Sequence, residues 1–210
     1  SFFARDTVTV ARELLGKVLV SRAGETVTGG RIVETEAYLG AHDAGSHAAT
    51  KGVTKRNAVM YGPPGRAYVY FTYGNHHMLN LVTEPDGTAG AVLIRALEPL
   101  QGVDEMLRRR AANARGGEPR PMRERDLCNG PGKLAAALGV DLTFNGCELG
   151  KDRLVVYDAP APSEPILASG RIGLTAGHEL DLRFYLEGDP HVSKGRVGPK
   201  PPHPRREKGT

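Results

Sequence analysis

The stretch RAYVYFTYGNHHMLNLVTEPDGTAGAVLIRAL, Arg66 to Leu97, is the most strongly patterned part of the chain. It holds three β-rich runs, RAYVYFTYG, HMLNLVTEP and AGAVLIRAL. GNHH (Gly74 to His77) lies where the first two meet, and the turn PDGTAG separates the second from the third. Tyrosine, valine, isoleucine and phenylalanine suit a pleated surface, whereas glycine, asparagine and aspartate supply tight reversals. Short runs closed by such turns pair with their neighbours, so the pattern predicts a meander of antiparallel strands.

Upstream, strand-like alternation runs from Val18 to Val20 and again from Val27 to Leu39. Before them, RDTVTVARELLG predicts a short helix with Asp6 as N-cap, Val8, Ala11 and Leu15 inward, and Gly16 as its stop. The polar stretch from Gly40 to Gly65 has little periodicity and reads as a long loop, a kind of segment that often carries function. Downstream, one helix is expected over LQGVDEMLRRRAANA, ending at Gly116–Gly117. EPRPMRERD reads as irregular, and NGPGKLAAALG as a second helix with Pro131 in its first turn and Gly139 at its end. RLVVYDA, GRIGLT and DLRFYLEG look like further strands. With no internal repeat and no clean linker, the expectation is one α+β domain over residues 1–193. It would have a curved, mostly antiparallel β-sheet, flanking helices and a protruding β-hairpin. A basic, proline-rich tail, residues 194–210, is expected to be disordered.

Composition narrows the class. A chain of 210 residues that is 40% hydrophobic can build a real core, and no apolar run approaches a membrane span. No basic-then-apolar segment opens it, and Cys128 and Cys147 are too few for a disulfide or zinc framework. The reading is a soluble intracellular protein with reduced thiols and a monomer by default. The formal charge is +4, but the segment from His191 onward alone carries +5, so the body is close to neutral. A basic tail attracts nucleic acid only weakly as an argument, since many such tails serve solubility.

The chemistry-bearing residues begin with RIVETEAYLG, Arg31 to Gly40. Strand parity puts Glu34, Glu36 and Tyr38 on one face and Val33, Thr35, Ala37 and Leu39 on the other. The bland reading is a solvated polar face with both glutamates in water. The sharper one is a site. Tyr68 and Tyr70 likewise share a face, with Tyr73 at the edge of the turn, in a chain that is only 6% aromatic. They are either ordinary strand residues or a stacking surface for flat rings. His42, Asp43 and His47, with His76 and His77, invite a metal, but their spacing matches no compact ligand set, and no metal is expected. There is no P-loop, no GxGxxG after a strand and no GxSxG elbow. NGPGKL can offer backbone N–H groups and Lys133 to a phosphate at a helix start.

RIVETEAYLG, a loop histidine, YVYFTYG, MLN, AVLIRALEP and LCNGPGKL, in that order, resemble the alkyladenine (3-methyladenine) DNA glycosylase family. The likeness runs from ARELLGKVLV to LRFYLEGDPHVS, most of the chain. The resemblance implies a monofunctional base-excision enzyme acting on double-stranded DNA that contains damaged purines, without metal, redox cofactor or membrane. Its hairpin would enter the minor groove, and an alkylated or deaminated purine would be flipped out and its N-glycosidic bond hydrolysed. By the same resemblance Glu36 matches the catalytic carboxylate and Arg95 an arginine near the water and the nucleotide phosphate. Tyr38, His47 and Tyr70 match rings of the base pocket, and Asn80 an asparagine that discriminates against a 2-amino group. Tyr73 matches the residue filling the gap in the duplex, and Lys133 one beside the DNA backbone. The chain would act on chromosomal DNA.

The sequence departs from the family pattern at GNHH, where His76 and His77 replace larger apolar residues at the hairpin tip. Leu79, beside Asn80, is expected to bear on pocket volume, and Lys51, Lys55 and Arg56 are candidate DNA contacts. Glu34, on the face of Glu36, is expected to raise the pKa of that neighbour by like-charge repulsion. Two other readings stand beside this one. A non-catalytic module binding damaged DNA or structured RNA would keep Tyr70, Tyr73 and the basic surface without needing Glu36. A carbohydrate glycosidase would need carboxylates flanking the scissile bond from opposite sides, which neighbours on one strand do not supply.

Overall fold

The computed structural model describes residues 1–46, 48–49, 52–72, 74–113, 121–151 and 153–198. Its first helix, α1 (Thr7–Glu13), starts where Asp6 accepts the Thr9 N–H at 2.8 Å, an N-cap legible in the sequence. Val10 and Ala11 face inward along with Leu14 and Leu15; Val8, expected there, is only half-buried. The strands are β1 (Val18–Ser21), β2 (Thr28–Tyr38), β3 (Ala67–Thr72), β4 (His76–Val82) and β5 (Ala91–Gln101). After α2 (Val103–Ala112) and α3 (Pro131–Leu138) come β6 (Leu154–Tyr157), β7 (Ile166–Ser169) and β8 (Arg183–Leu186). Among the described residues these eight strands form one curled sheet, ordered β3-β4-β5-β2-β1-β6, with β8 pairing both β2 and β7. Every named pairing is antiparallel, so the fold is α+β and the predicted meander is β3-β4-β5.

Three boundaries differ from expectation, each for a local reason. His76 and His77 do not form the hairpin turn: they open β4, paired with Thr72 and Phe71. α2 begins at Val103 rather than Leu100, because Leu100 and Gln101 finish β5 and Gly102 turns the chain at φ 72°, a left-handed value that glycine takes without cost. The expected helix end at Gly116–Gly117 lies outside the described residues. GRIGLT is not a strand, and β7 instead lies just before it. Gly173 at φ 76° breaks the ladder there, and only Ile172 keeps isolated bridges, to Val197 and Gly198.

The core lies between the sheet and its helices. Ile32, Val33 and Ala37 of β2, Leu79 and Leu81 of β4 and Val92 and Ile94 of β5 meet Val10 of α1 and Leu134 and Leu138 of α3, all fully buried. Each such aliphatic side chain contributes about 1.5–3 kcal/mol through burial. On the other face a smaller cluster gathers Ala48, Met60, Tyr68, Val82, Ala89 and Ala91, with Tyr61 and Tyr70 packed against it. β4 divides its side chains between the two, so Leu79, expected near the pocket, belongs to the core instead.

Candidate active site

Register brings distant residues into line. Tyr68 opposes Asn80, Asn80 opposes Leu93, Leu93 opposes Glu36 and Glu36 opposes Arg183. Directly opposed residues share a face. One row therefore crosses β3, β4, β5, β2 and β8 with a tyrosine, an amide, a leucine, a carboxylate and a guanidinium side by side.

Both glutamates of β2 are 0% exposed, which removes the solvated-face reading. Two fully buried carboxylates are tolerated only with charge and hydrogen-bond partners. Glu34 has four. Arg95 Nε donates to its Oε1 at 2.8 Å, Arg183 Nε at 2.6 Å and Ser193 Oγ at 2.8 Å, while the Ser193 N–H reaches Oε2 at 2.7 Å. Burial alone pushes the Glu34 carboxyl up, but the Arg95 and Arg183 charges outweigh it and hold the group below its ordinary value. Glu34 is therefore a compensated anion. Its charge meets Arg95 and Arg183 before it meets Glu36, so the expected like-charge pair is in fact bridged: Arg95 contacts Glu34 and also lies 3.2 Å from Glu36 Oε1.

Glu36 accepts the Ile172 N–H on Oε1 at 2.7 Å and the Tyr38 hydroxyl on Oε2 at 2.9 Å. Burial, then the Glu36 charge, pushes the Tyr38 phenol well above its usual pKa, so it stays a proton donor to that carboxylate. Behind the Tyr38 ring lies the fully buried Arg171, its guanidinium 4.7 Å from the ring centre. Arg171 is held by both Asp43 oxygens at 2.5 Å and by the carbonyls of Ala37 and Gly177, each at 2.9 Å. Asp43 also accepts the N–H groups of Leu39 and Gly45. These partners occupy the oxygens that a metal at Asp43 would need, and among the described residues no cluster of three His, Cys, Asp or Glu is placed to hold one.

Of these groups Tyr38, Arg95 and Ile172 border a pocket of about 290 Å³, near the lower end of the usual range for small-ligand sites. Tyr38, Tyr68, Tyr70, Asn80 and Arg95 line it with Met60, Met78, Leu93 and Ile172. The Tyr68 and Tyr70 rings lie 5.3 Å apart, and burial pushes the Tyr68 phenol up to about 12. Asn80 is fixed by its own amide, which donates to the Tyr68 carbonyl at 3.0 Å. Lys133 stands in an adjoining hollow with Arg95, Asn129 and Lys194, its ammonium 2.6 Å from Asn129 Oδ1. Burial, with Arg110 and Lys194 nearby, lowers the Lys133 pKa. Arg56 lies 5.0 Å from the Tyr70 ring and donates to the Phe71 carbonyl.

Tyr38, Tyr70, Asn80 and Arg95 thus line one pocket. Glu36 is buried behind it in contact with Tyr38, Arg95 and the Ile172 N–H. Lys133 lines the adjoining hollow, while His47, Tyr73 and Lys51 lie outside the described residues. Sequence reasoning missed Arg171, Arg183, Ser193 and the Ile172 N–H. Arg183 had a signal, a lone charge inside the apolar run LRFYL. A backbone N–H has none.

A family model described as methylpurine-DNA glycosylase matches residues 1–190. A protein of Chlorobium luteolum is 47% identical over 197 residues, covering 93% of this chain and 95% of its own length. One from Chlorobaculum parvum is 47% identical over 210 residues (99% and 94%), and one from Koribacter versatilis is 48% identical over 199 residues (93% and 92%). Each carries the name "Putative 3-methyladenine DNA glycosylase". With a family match over most of its length and such relatives, the chain belongs to the methylpurine-DNA glycosylase family and is a DNA glycosylase for alkylated bases.

Proposed function

We propose that the protein turns a damaged purine out of double-stranded DNA into the pocket beside Tyr38 and Tyr70, where Glu36 activates the water that cleaves the N-glycosidic bond. The observation that carries this reading is the coordination of Glu36. A carboxylate has about four acceptor sites; Ile172 and Tyr38 hydrogen-bond to Glu36, and Arg95 stands 3.2 Å from its Oε1 as a charge partner. The attacking water is assigned to a remaining acceptor site of that carboxylate. That water's oxygen attacks the sugar C1′, its proton passes to Glu36, and the bonding pair leaves with the purine. A purine alkylated at N3 or N7 is already cationic and departs neutral, so the carboxylate and the charge it offsets at the sugar suffice.

Flipping costs a few kcal/mol, least at damaged bases, and stacking returns roughly 1–3 kcal/mol per stacked base. Tyr38 and Tyr70 supply those faces, with His47 assigned to the same cage. Asn80, anchored to Tyr68, is the wall set against a purine 2-amino group. Tyr73 fills the vacated space in the duplex, and Lys133 meets the backbone. Arg95 orients the water and the flipped nucleotide's phosphate.

The test is single-turnover base release from short duplexes, each with one lesion, by the intact protein and by Glu36→Gln. The intact protein is expected to release 7-methylguanine or hypoxanthine. The variant should bind equally well and release at least about 10²-fold more slowly, the scale of a lost general base. A variant as fast as the intact protein would end the assignment of Glu36.

A further inference from the structure

The stretch Ser193 to Gly198 begins three residues beyond residue 190, where the family model's match ends, yet it touches the site at two places. At the first, Ser193 spends its polar atoms on the buried charges. Its N–H and hydroxyl both donate to Glu34, at 2.7 and 2.8 Å. Its hydroxyl oxygen accepts from Arg95 Nη2 at 3.2 Å, and its carbonyl from Arg183 Nη2 at 3.5 Å. At the second, the stretch backs Ile172, the residue whose N–H holds Glu36. Val197 and Gly198 form bridges to Ile172. Gly195 packs so closely that a Cβ there would sit 2.3 Å from Ile172 Cγ2 and 2.6 Å from Cδ1.

We infer that residues 193–198 act as a positioning strap for the chemistry: Ser193 sets the Glu34–Arg95 pair, and Gly195 to Gly198 fix the Ile172 N–H against Glu36. Neither end touches the base. Both act through the groups assigned to the water, so the inference rests on the Glu36 and Arg95 reading. A carboxylate displaced by about 1 Å can lose roughly 10²-fold in rate with binding intact.

The experiment compares the full chain with Ser193→Ala, Ser193→Thr, Gly195→Val and Glu36→Gln on a duplex carrying one 7-methylguanine. Single-turnover rate constants at saturating enzyme are measured beside duplex affinity and thermal midpoint. Ser193→Ala and Gly195→Val are expected to release base about 10²-fold more slowly, with affinity unchanged within twofold. Ser193→Thr, which keeps the hydroxyl, recovers most of the rate. Two results overturn the strap: both variants match the intact rate while Glu36→Gln is inert, or the rate falls only in step with affinity or folded fraction. If Glu36→Gln itself keeps full rate, the reading beneath the strap fails instead.

Discussion

Asp43 and Arg171 are the tightest buried ion pair near the pocket, 1% and 0% exposed. Burial pushes the Asp43 carboxyl up, but Arg171 outweighs it and holds the group below its ordinary value. Replacing such a pair together is often harmless, whereas removing one member leaves a buried charge alone, at a cost of about 3–5 kcal/mol. Asp43→Ala is accordingly expected to lower stability by about 3 kcal/mol in urea denaturation. A loss under about 1 kcal/mol would mean that water reaches Arg171 and the cation is not sealed behind Tyr38. The pair was hard to see in advance. Asp43 lay in a polar loop with His42 and His47, whose spacing matches no ligand set, and Arg171 stood between glycines in a run with a strand's pattern.

At the scale of elements, β2 is the member on which the others depend. It pairs β5 along its length, β1 at its start and β8 at its end. Its register with β5 shifts between Gly29 and Gly30, opposite Pro99, which has no N–H for the ladder. A Cβ on Gly30 would lie 2.4 Å from the Glu98 carbonyl oxygen, a backbone atom that cannot rotate aside. Gly30→Ala is therefore expected to cost about 1–3 kcal/mol, the usual penalty of overpacking, read as a lowered urea midpoint. An unchanged midpoint would show that the two strands can part there freely. Alternation made the strands, the Asp6 cap and the Gly139 stop legible, because each is a local matter of parity or dihedral freedom. The bulges and the β8 partnership were not. Pairings between Glu36 and Arg183, or Ile172 and Val197, are set by tertiary packing, which leaves little trace in either segment alone. Glu36, Tyr38, Tyr70, Asn80 and Arg95 were singled out by parity and resemblance, whereas Arg183 offered only its charge inside an apolar run and Ser193 offered no signal.

For the molecule as a whole, the buried charges set the acid limit. Glu34 and Asp43 both have carboxyls lowered in the folded state, Glu34 against burial by Arg95 and Arg183, Asp43 against burial by Arg171. The unfolded chain takes up protons at those residues first as pH falls. Their stabilisation is thus fully present above the unfolded values, about 4, and is lost as pH drops through the folded ones. Urea midpoints should be flat from about pH 7 to 5 and fall steeply below about pH 4, with a shallower fall in Glu34→Gln. A wild-type midpoint that holds to about pH 3 would show that these carboxylates gain nothing from folding. Exposed pairs such as Glu13 with Arg5 contribute little to this slope.

The transverse row from Tyr68 to Arg183 has one more implication. Because strand side chains alternate, a slip of β4 by a single residue would turn Leu79 and Leu81 toward the pocket and bury Asn80 among aliphatic neighbours. A sheet with β4 paired one residue out therefore cannot carry that row of side chains. The register that sorts aliphatic from polar side chains is thus the same register that assembles the pocket wall, so packing the core correctly and lining the pocket correctly are one event rather than two.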